Sequence, residues 1–418
     1  ACYRVFGYSL KRFMLNSQSK MIAPHTPAFW RATLALCLGS FMVFANLYVT
    51  QPLLPMIAEQ YNVSALQSSV SFTIATLTLG LSLLFYGPLS DAVGRKGIML
   101  FTMVGITLTT ACLALTSGYP SLLLLRALQG FFLAGLPAIA VAYMSDEFNA
   151  DALMIAVGIY ISGNSLGGIG GRLMGGFLGE NLGLGGTFTV MAILSLLLTL
   201  AFFWLLPPSR HFEPKPLRPK LMLAQMGEHL VNKRLLLSYL IGGLSFFIFV
   251  NQYSYITFVL KDSPYSLSAQ YIGLLFLTYL SGTYASAISG KLARRFSQPV
   301  CMMAGTIIIM FGSAVTLIPS LLAIVIGLFI NAFGFFLTHS TASSWVSLNA
   351  RSGKASASSL YLTFYYIGAS TGGIYLDMFW HQGRWTAVVE GSWLMLLMIL
   401  LLGYGLQRLH RVSEHTSL

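Results

Sequence analysis

Charge is what this chain has least of. Only 9% of its 418 residues are Asp, Glu, Lys or Arg, against about 25% in soluble globular domains. Acids are the scarcest, 12 against 24 basic residues. So few charges cannot clothe a surface in water, which excludes a soluble globular fold. Cysteine is sparse too. Cys2 stands near the start, and Cys37, Cys112 and Cys301 fall inside apolar runs. None has metal-site spacing or the setting of an extracellular disulfide, so they read as packing residues, with no metal or cofactor expected. There is no Walker lysine motif, HExxH or CxxC, and no polar cluster suits a membrane enzyme, so an enzyme is not expected. The first residues lack the ordered regions of a signal peptide, and 1–31 reads as a cytoplasmic tail.

Apolar residues fill the space that charge leaves. Hydrophobic residues make up 56% and aromatics 13%, with a mean hydropathy of +0.74. The bilayer is the solvent for most of this chain. Apolar windows long enough to cross it, about 20 residues each, fall at 32–54, 67–88, 97–117, 120–144, 152–178, 185–206, 235–260, 270–291, 299–318, 320–343, 355–377 and 384–407. Short connectors make neighbours antiparallel. The exception is 207–234, with five prolines and the cations Arg210, Lys215, Arg218, Lys220, Lys233 and Arg234. It reads as a cytoplasmic linker between two six-helix halves, 32–206 and 235–407, with 408–418 as a second tail. The expected fold is an all-α polytopic membrane protein of twelve transmembrane helices.

The basic residues set the orientation. Twenty of the 24 lie on the side of both termini and the linker, against Lys261 and Arg384 opposite and Arg126 and Arg172 within spans. The positive-inside rule then places both termini in the cytoplasm. The net charge of +12 lies along the inner leaflet, where anionic lipid is its partner and nucleic acid is not.

The halves repeat. Gly130-Phe131-Phe132 recurs as Gly334-Phe335-Phe336, an offset of 204, and Gly163-x-Ser165-x-Gly167-Gly168-Ile169 recurs as Gly368-x-Ser370-x-Gly372-Gly373-Ile374, an offset of 205. A loop with Gly87, Asp91 and Gly94 has a degraded copy with Gly290, Arg294 and Ser297, an offset of 203. Three matches at nearly one offset indicate duplication. Two similar halves about a central site is the architecture of alternating access.

The loop between spans two and three, Gly87-Pro-Leu-Ser-Asp91-Ala-Val-Gly94-Arg95-Lys96, resembles the signature loop of the major facilitator superfamily, G-x-x-x-D-R-x-G-R-[RK]. It matches at Gly87, Asp91, Gly94, Arg95 and Lys96, with Ala92 where the family has a basic residue. Arg126-x-x-Gln129-Gly130 is similar to that family's span-four motif. The run Gly163, Gly167, Gly171 resembles the antiporter motif of its drug:proton branch, with Gly168 and Arg172 in place of the motif's Pro and last Gly. The chain is therefore similar, over about 30 to 410, to the twelve-span efflux branch, which includes arabinose-efflux-type permeases and enterobacterial inner-membrane transporters. The resemblance implies a monomeric inner-membrane protein that moves a small-molecule substrate by alternating access, coupled to protons and in the direction of efflux. It implies a loop that latches the inner side shut and a role for Arg126 in proton transfer. Uptake by symport or facilitated diffusion, and a solute sensor that transports nothing, are the alternatives.

Individual residues carry two readings each. A charge deep in a span faces a cavity or a partner, which makes Arg126 and Arg172 candidates: Arg126 for function or for snorkelling to the interface, Arg172 for an anion contact or an ion pair. Glu390 is either the intramembrane acid or an interfacial carboxylate paired with Arg384. His339 could titrate near neutral pH or simply pack. Gly163, Gly167, Gly171 and Gly175 form a smooth helix stripe suited to close packing. Asp146, Glu147 and Asp151 read as solvated acids that pair with loop cations. Asn46, Gln51, Tyr160, Asn164, Asn251, Gln252, Asn331, Tyr361 and Tyr365 are candidates for the cavity lining, suited to a partly apolar solute with a few hydrogen bonds.

Overall fold

The computed structural model describes residues 21–214, 216–217, 219–350 and 354–416. Cys2 and most of the expected N-terminal tail, with Lys215, Arg218 and Arg351, lie outside the described residues. Among the described residues, ten helices are long and apolar enough to cross a membrane. Two of them are double. Ala150–Leu205 is broken at Gly183, with φ +65°, and Lys354–Thr416 at Gly383 and Arg384. Counting each as two gives the twelve crossings. Spans one to four are Pro27–Tyr61, Ala65–Val93, Arg95–Leu113 and Tyr119–Glu147. Spans five and six are 150–182 and 184–205. Spans seven to ten are Lys233–Lys261, Ala269–Phe296, Gln298–Val315 and Leu321–Asn349. Spans eleven and twelve are 354–382 and 385–416.

Local chemistry sets the helix starts. Thr26 Oγ1 accepts from Phe29 N at 3.2 Å, and Asn149 Oδ1 accepts from Ala152 N at 2.9 Å. Ser64 and Gln67 cap reciprocally, at 3.1 and 2.9 Å. Each satisfies amides that a helix start leaves open. The helices overrun the apolar windows. The first begins at Pro27 rather than 32, and Ile22 is already held by Glu147 O at 2.8 Å. The expected linker contains a helix, Pro219–Val231, and the last helix reaches Thr416, past the expected tail boundary at 408. Hydropathy marks only the part that needs lipid; capped polar turns extend beyond it.

The same argument reshapes the Gly87–Lys96 loop. Gly87, Pro88 and Asp91 lie inside span two, and Gly94 alone separates it from span three. Gly94 has φ +120° and ψ 154°, a region that glycine enters without steric cost. Its repeat partner is Ser297, at φ 74° and ψ 154°. There a side chain is strained by roughly 1–3 kcal/mol. Ser297→Gly should therefore raise stability by about 1 kcal/mol, read as a higher melting temperature of the purified protein; an unchanged or lower one would show that the side chain is not strained.

Outward faces are as apolar as the interior. Leu115, Trp204 and Leu401 are among many large exposed hydrophobics, which suits contact with lipid. Cys112 is also exposed, so it does not pack as expected, while Cys37 is partly buried and Cys301 buried. Between helices the stripe of small residues does the packing. A Cβ added at Gly163, Gly167, Gly171 or Gly175 would fall 2.1–2.6 Å from the carbonyl oxygens of Cys37, Phe41, Ala45 and Val49. Span five therefore lies backbone to backbone on span one. Gly368 and Gly372 set span eleven on span seven in the same way, against the carbonyls of Gly243 and Phe247. The sequence repeat is a repeat of helix pairs.

Candidate functional site

The duplicated helix pairs leave a cavity of about 340 Å³ between the halves. It is lined from spans one, two, four and five on one side and seven, eight, ten and eleven on the other. Ten of its 22 lining residues are Phe or Tyr, and none is Asp, Glu or Lys. One end of the molecule carries the links at 93–95, 147–150, 205–233 and 296–298 and most of the basic residues. This basic end is the side of Val141, a lining residue that is 45% exposed.

The other end is sealed. A Cβ added at Gly176 of span five would fall 2.5 Å from Ala269 O and 3.0 Å from Gly273 Cα of span eight. Gln51 Nε2 donates to Val250 O at 3.1 Å and to Ser254 Oγ at 3.3 Å. Ala269 N donates to Glu180 Oε2 at 3.0 Å, and Lys261 pairs with Glu59 at 3.7 Å. At mid-depth Thr363 Oγ1 donates to Gly80 O at 3.0 Å. All of these contacts cross between the halves.

Arg172 lines the cavity and is 2% exposed. Its Nε donates to Gln51 Oε1 at 2.8 Å, Nη1 to Gly168 O at 2.8 Å and Nη2 to the Tyr279 hydroxyl at 3.5 Å. The rings of Tyr48, Tyr279 and Phe276 lie 3.8, 4.6 and 4.8 Å from its guanidinium carbon. Aromatic faces stabilise a cation without neutralising it. No carboxylate pairs with Arg172 among the described residues, so the expected alternative of an ion pair is not met.

Arg126 has a different setting. It is fully buried and is not a lining residue. Its Nε donates to Ser71 O at 3.0 Å, Nη1 to Asn46 O at 3.0 Å and to Gln129 Oε1, and Nη2 to Leu47 O at 2.9 Å and Thr50 Oγ1 at 3.3 Å. All five N–H donors are used, stitching spans one, two and four together. The Asn46 amide donates to Ser195 Oγ at 2.9 Å and accepts from Thr110 Oγ1 at 2.9 Å. Asn46 therefore belongs to a polar network within the first half and not to the lining. The second half has a smaller counterpart, where Asn331 Nδ2 and Ser313 Oγ donate to Gln252 Oε1 at 2.7 and 3.2 Å. Gln252 and Asn331 leave the cavity for the same reason: a polar side chain buried among helices needs a partner there. Asn251 also turns away, donating to Phe247 O and Ala369 O at 2.9 Å each.

Of the other candidates, Tyr160, Asn164, His339 and Tyr365 do line the cavity. Tyr361 stands behind it, its hydroxyl 2.9 Å from His339 Nδ1. Gln51 reaches it through Arg172. Glu390 is on the exposed face of span twelve, and its expected partner Arg384 instead bonds Asp262 at 2.7 Å. Of the acids expected to be solvated and to pair with loop cations, Asp146 does pair with one, while Glu147 is buried. Asp146 bonds Arg95 at 3.0 Å, and the buried Glu147 accepts from the amides of Arg210 and His211 at 2.7 and 2.9 Å, anchoring the start of the linker. Arg95 also pairs with Asp91, and Lys96 Nζ donates to Leu206 O at 2.5 Å. These bonds of Arg95 and Lys96 stay within the first half. Sequence reasoning missed Phe246, Phe249 and Tyr279, which wall the cavity, and Asp377, which accepts from Tyr255 at 3.0 Å. With 29 Phe and 20 Tyr, no composition signal separates a cavity aromatic from a lipid-facing one.

Comparison with known proteins agrees with this arrangement. The chain is 37% identical over 397 residues to the inner membrane transport protein YnfM of Escherichia coli, covering 95% of this chain and 94% of that one. It is 37% identical over 384 residues to the MFS-type transporter YybF of Bacillus subtilis, covering 92% and 95%. The inward-facing, unoccupied crystal structure of a bacterial homolog of the human lysosomal transporter Spinster superposes with a TM-score of 0.74 at 18% identity, covering 92% and 98%. The model of the Major Facilitator Superfamily matches residues 36–373. With twelve crossings in two duplicated halves around one cavity, the chain belongs to the Major Facilitator Superfamily and is a multi-pass membrane transporter.

Proposed function

We propose that this transporter works in the bacterial inner membrane, with its basic end in the cytoplasm, and moves a small organic solute by alternating access coupled to protons. The observation that carries this reading is a cavity built from equivalent spans of both halves and sealed by direct inter-half contact at the end opposite the basic one. Rocking the halves about the cavity would break the Gly176–Ala269 seal and close the cytoplasmic end. We assign the Gly87–Lys96 segment as the latch of that closed state. Asp91 pairs with Arg95 and is half-exposed, so its carboxylate can also meet the second half when it arrives.

His339 is the candidate proton carrier, because it is the one lining side chain with an ordinary pKa near neutrality. Export by antiport is what the family resemblance implies. The charge of the lining favours the other direction. It holds Arg172 and His339 but no acid, so a proton and an anionic solute would bind cooperatively, which is the thermodynamic condition for symport and uptake.

Proteoliposomes with an imposed pH gradient decide between them. Antiport accumulates solute in vesicles with an acid interior, and symport in vesicles with an acid exterior. His339→Gln is expected to abolish the response to the gradient while solute counterflow continues. Flux indifferent to the gradient in the unmodified protein would refute proton coupling, and no flux across a broad solute panel would favour the sensor.

A further inference from the structure

We infer that the substrate is an amphipathic organic anion, a planar apolar body bearing a carboxylate or similar acidic head, with Arg172 as the residue that takes the head. This names the substrate class of the cavity proposed above and rests on that reading.

The argument begins with an unbalanced charge. Arg172 is deep within span five, lines the cavity and has no acidic partner among the described residues. A guanidinium has five N–H donors and stays protonated. Three are directed to Gln51, Gly168 and Tyr279 and the Tyr48 hydroxyl meets the guanidinium as well, which leaves one donor for a ligand. Arg126 is the internal control. The same residue type in the same half has all five donors taken and is absent from the lining. Where the fold needs an arginine only for packing, it satisfies the arginine completely. At Arg172 it does not.

The rest of the lining excludes the opposite charge. A cationic solute would meet Arg172 and no carboxylate in exchange for its lost hydration. An anion meets a guanidinium, a bond roughly twice as strong as one between neutral partners. The body of the solute is set by the walls. Phe249 and Phe335 stack at 3.9 Å, and Phe246 and Tyr365 at 3.8 Å, so flat aromatic surface flanks the space. The cavity volume of about 340 Å³ is at the small end of ligand pockets and suits a one- or two-ring body. Arg172 also touches both halves, through Gln51 and Tyr48 of the first and Tyr279 and Phe276 of the second. An anion bound there lies against residues of both halves, where its charge can act on the seal.

The test is calorimetric titration of the purified, detergent-solubilised protein with three probes of one shape: 1-naphthoate, 1-naphthamide and 1-naphthylmethylammonium. Naphthoate is expected to bind at least about tenfold more tightly than either of the others, the effect of one charge-assisted bond. Arg172→Gln should erase that preference, and Arg172→Lys should keep part of it. If Arg172→Gln does not yield monodisperse protein, the three probes on the unmodified chain and on Arg172→Lys still decide. Equal binding of the three, preference for the ammonium, binding of none at millimolar concentration, or an undiminished naphthoate preference in Arg172→Gln would each overturn the inference. Binding is read without a membrane, so its outcome is separate from that of transport. A chain that binds naphthoate but moves no solute would sink the transport reading and leave this one standing. A chain that moves neutral or cationic solutes and shows no anion preference would do the reverse.

Discussion

Gly176→Leu is expected to insert and fold normally and to lose transport almost completely. At Gly176 the backbones of spans five and eight meet, and a Cβ would fall 2.5 Å from Ala269 O and 3.0 Å from Gly273 Cα. Neither neighbour is the end of a flexible side chain, so neither can step aside. The seal is also a contact between halves and not within one, so each half can still fold around its own core. Overpacking of this kind costs about 3 kcal/mol at the upper end of its usual range, roughly a hundredfold in the population of the sealed state. Flux measured at matched expression should fall by about that factor, and Gly176→Ala should fall less. Normal flux from Gly176→Leu would mean that the seal does not have to close during transport.

Arg126→Leu is expected to fail differently, through the fold. The guanidinium ties the backbone of span one, at Asn46 and Leu47, to span two at Ser71 and to Gln129 in its own span. Hydrogen bonds to a charged group are each worth about 1.5–3 kcal/mol. Removing the residue also removes the cost of burying its charge, which leaves a net loss of about 3 kcal/mol. For a half of this size the melting temperature should drop on the order of 5–10 °C. Arg126→Lys should recover only part of it, because an ammonium has three donors and no planar fork. An unchanged melting temperature with abolished transport would return Arg126 to the part in proton transfer that its motif implies, exerted through a neighbouring group because a guanidinium does not readily release a proton.

Much of the fold could be read from the sequence because it is written in one dimension. Bilayer thickness sets the length of an apolar run, and a glycine every fourth residue lies on one helix face whatever the tertiary structure. The cavity is not written that way. Asn46, Gln252 and Asn331 share their polar character with Asn164, yet only Asn164 reaches the lining. The others face neighbouring helices that supply their partners, and which neighbour a helix face meets is decided by packing between spans far apart in sequence. Arg126 and Arg172 were equivalent as intramembrane cations. They separate only when their donors are counted in three dimensions. Glu390 reads from the sequence as an acid within a span or an interfacial carboxylate, and it lies on an exposed face. The helix breaks at Gly183 and Gly383, by contrast, fall between apolar windows, and Arg384 is the first residue of the last window.

The central claim is that one cavity is reached from either side of the membrane in turn. Ser165 lines the cavity and is small enough to carry a probe, so Ser165→Cys can be placed in a chain whose native cysteines are replaced by serine or alanine. A membrane-impermeant maleimide is then applied to right-side-out and to inside-out vesicles. Position 165 should label from both sides, faster from the cytoplasmic side. Adding Gly176→Leu should raise the external rate and lower the cytoplasmic one. Labelling from a single side, unmoved by Gly176→Leu, would contradict alternating access through this cavity.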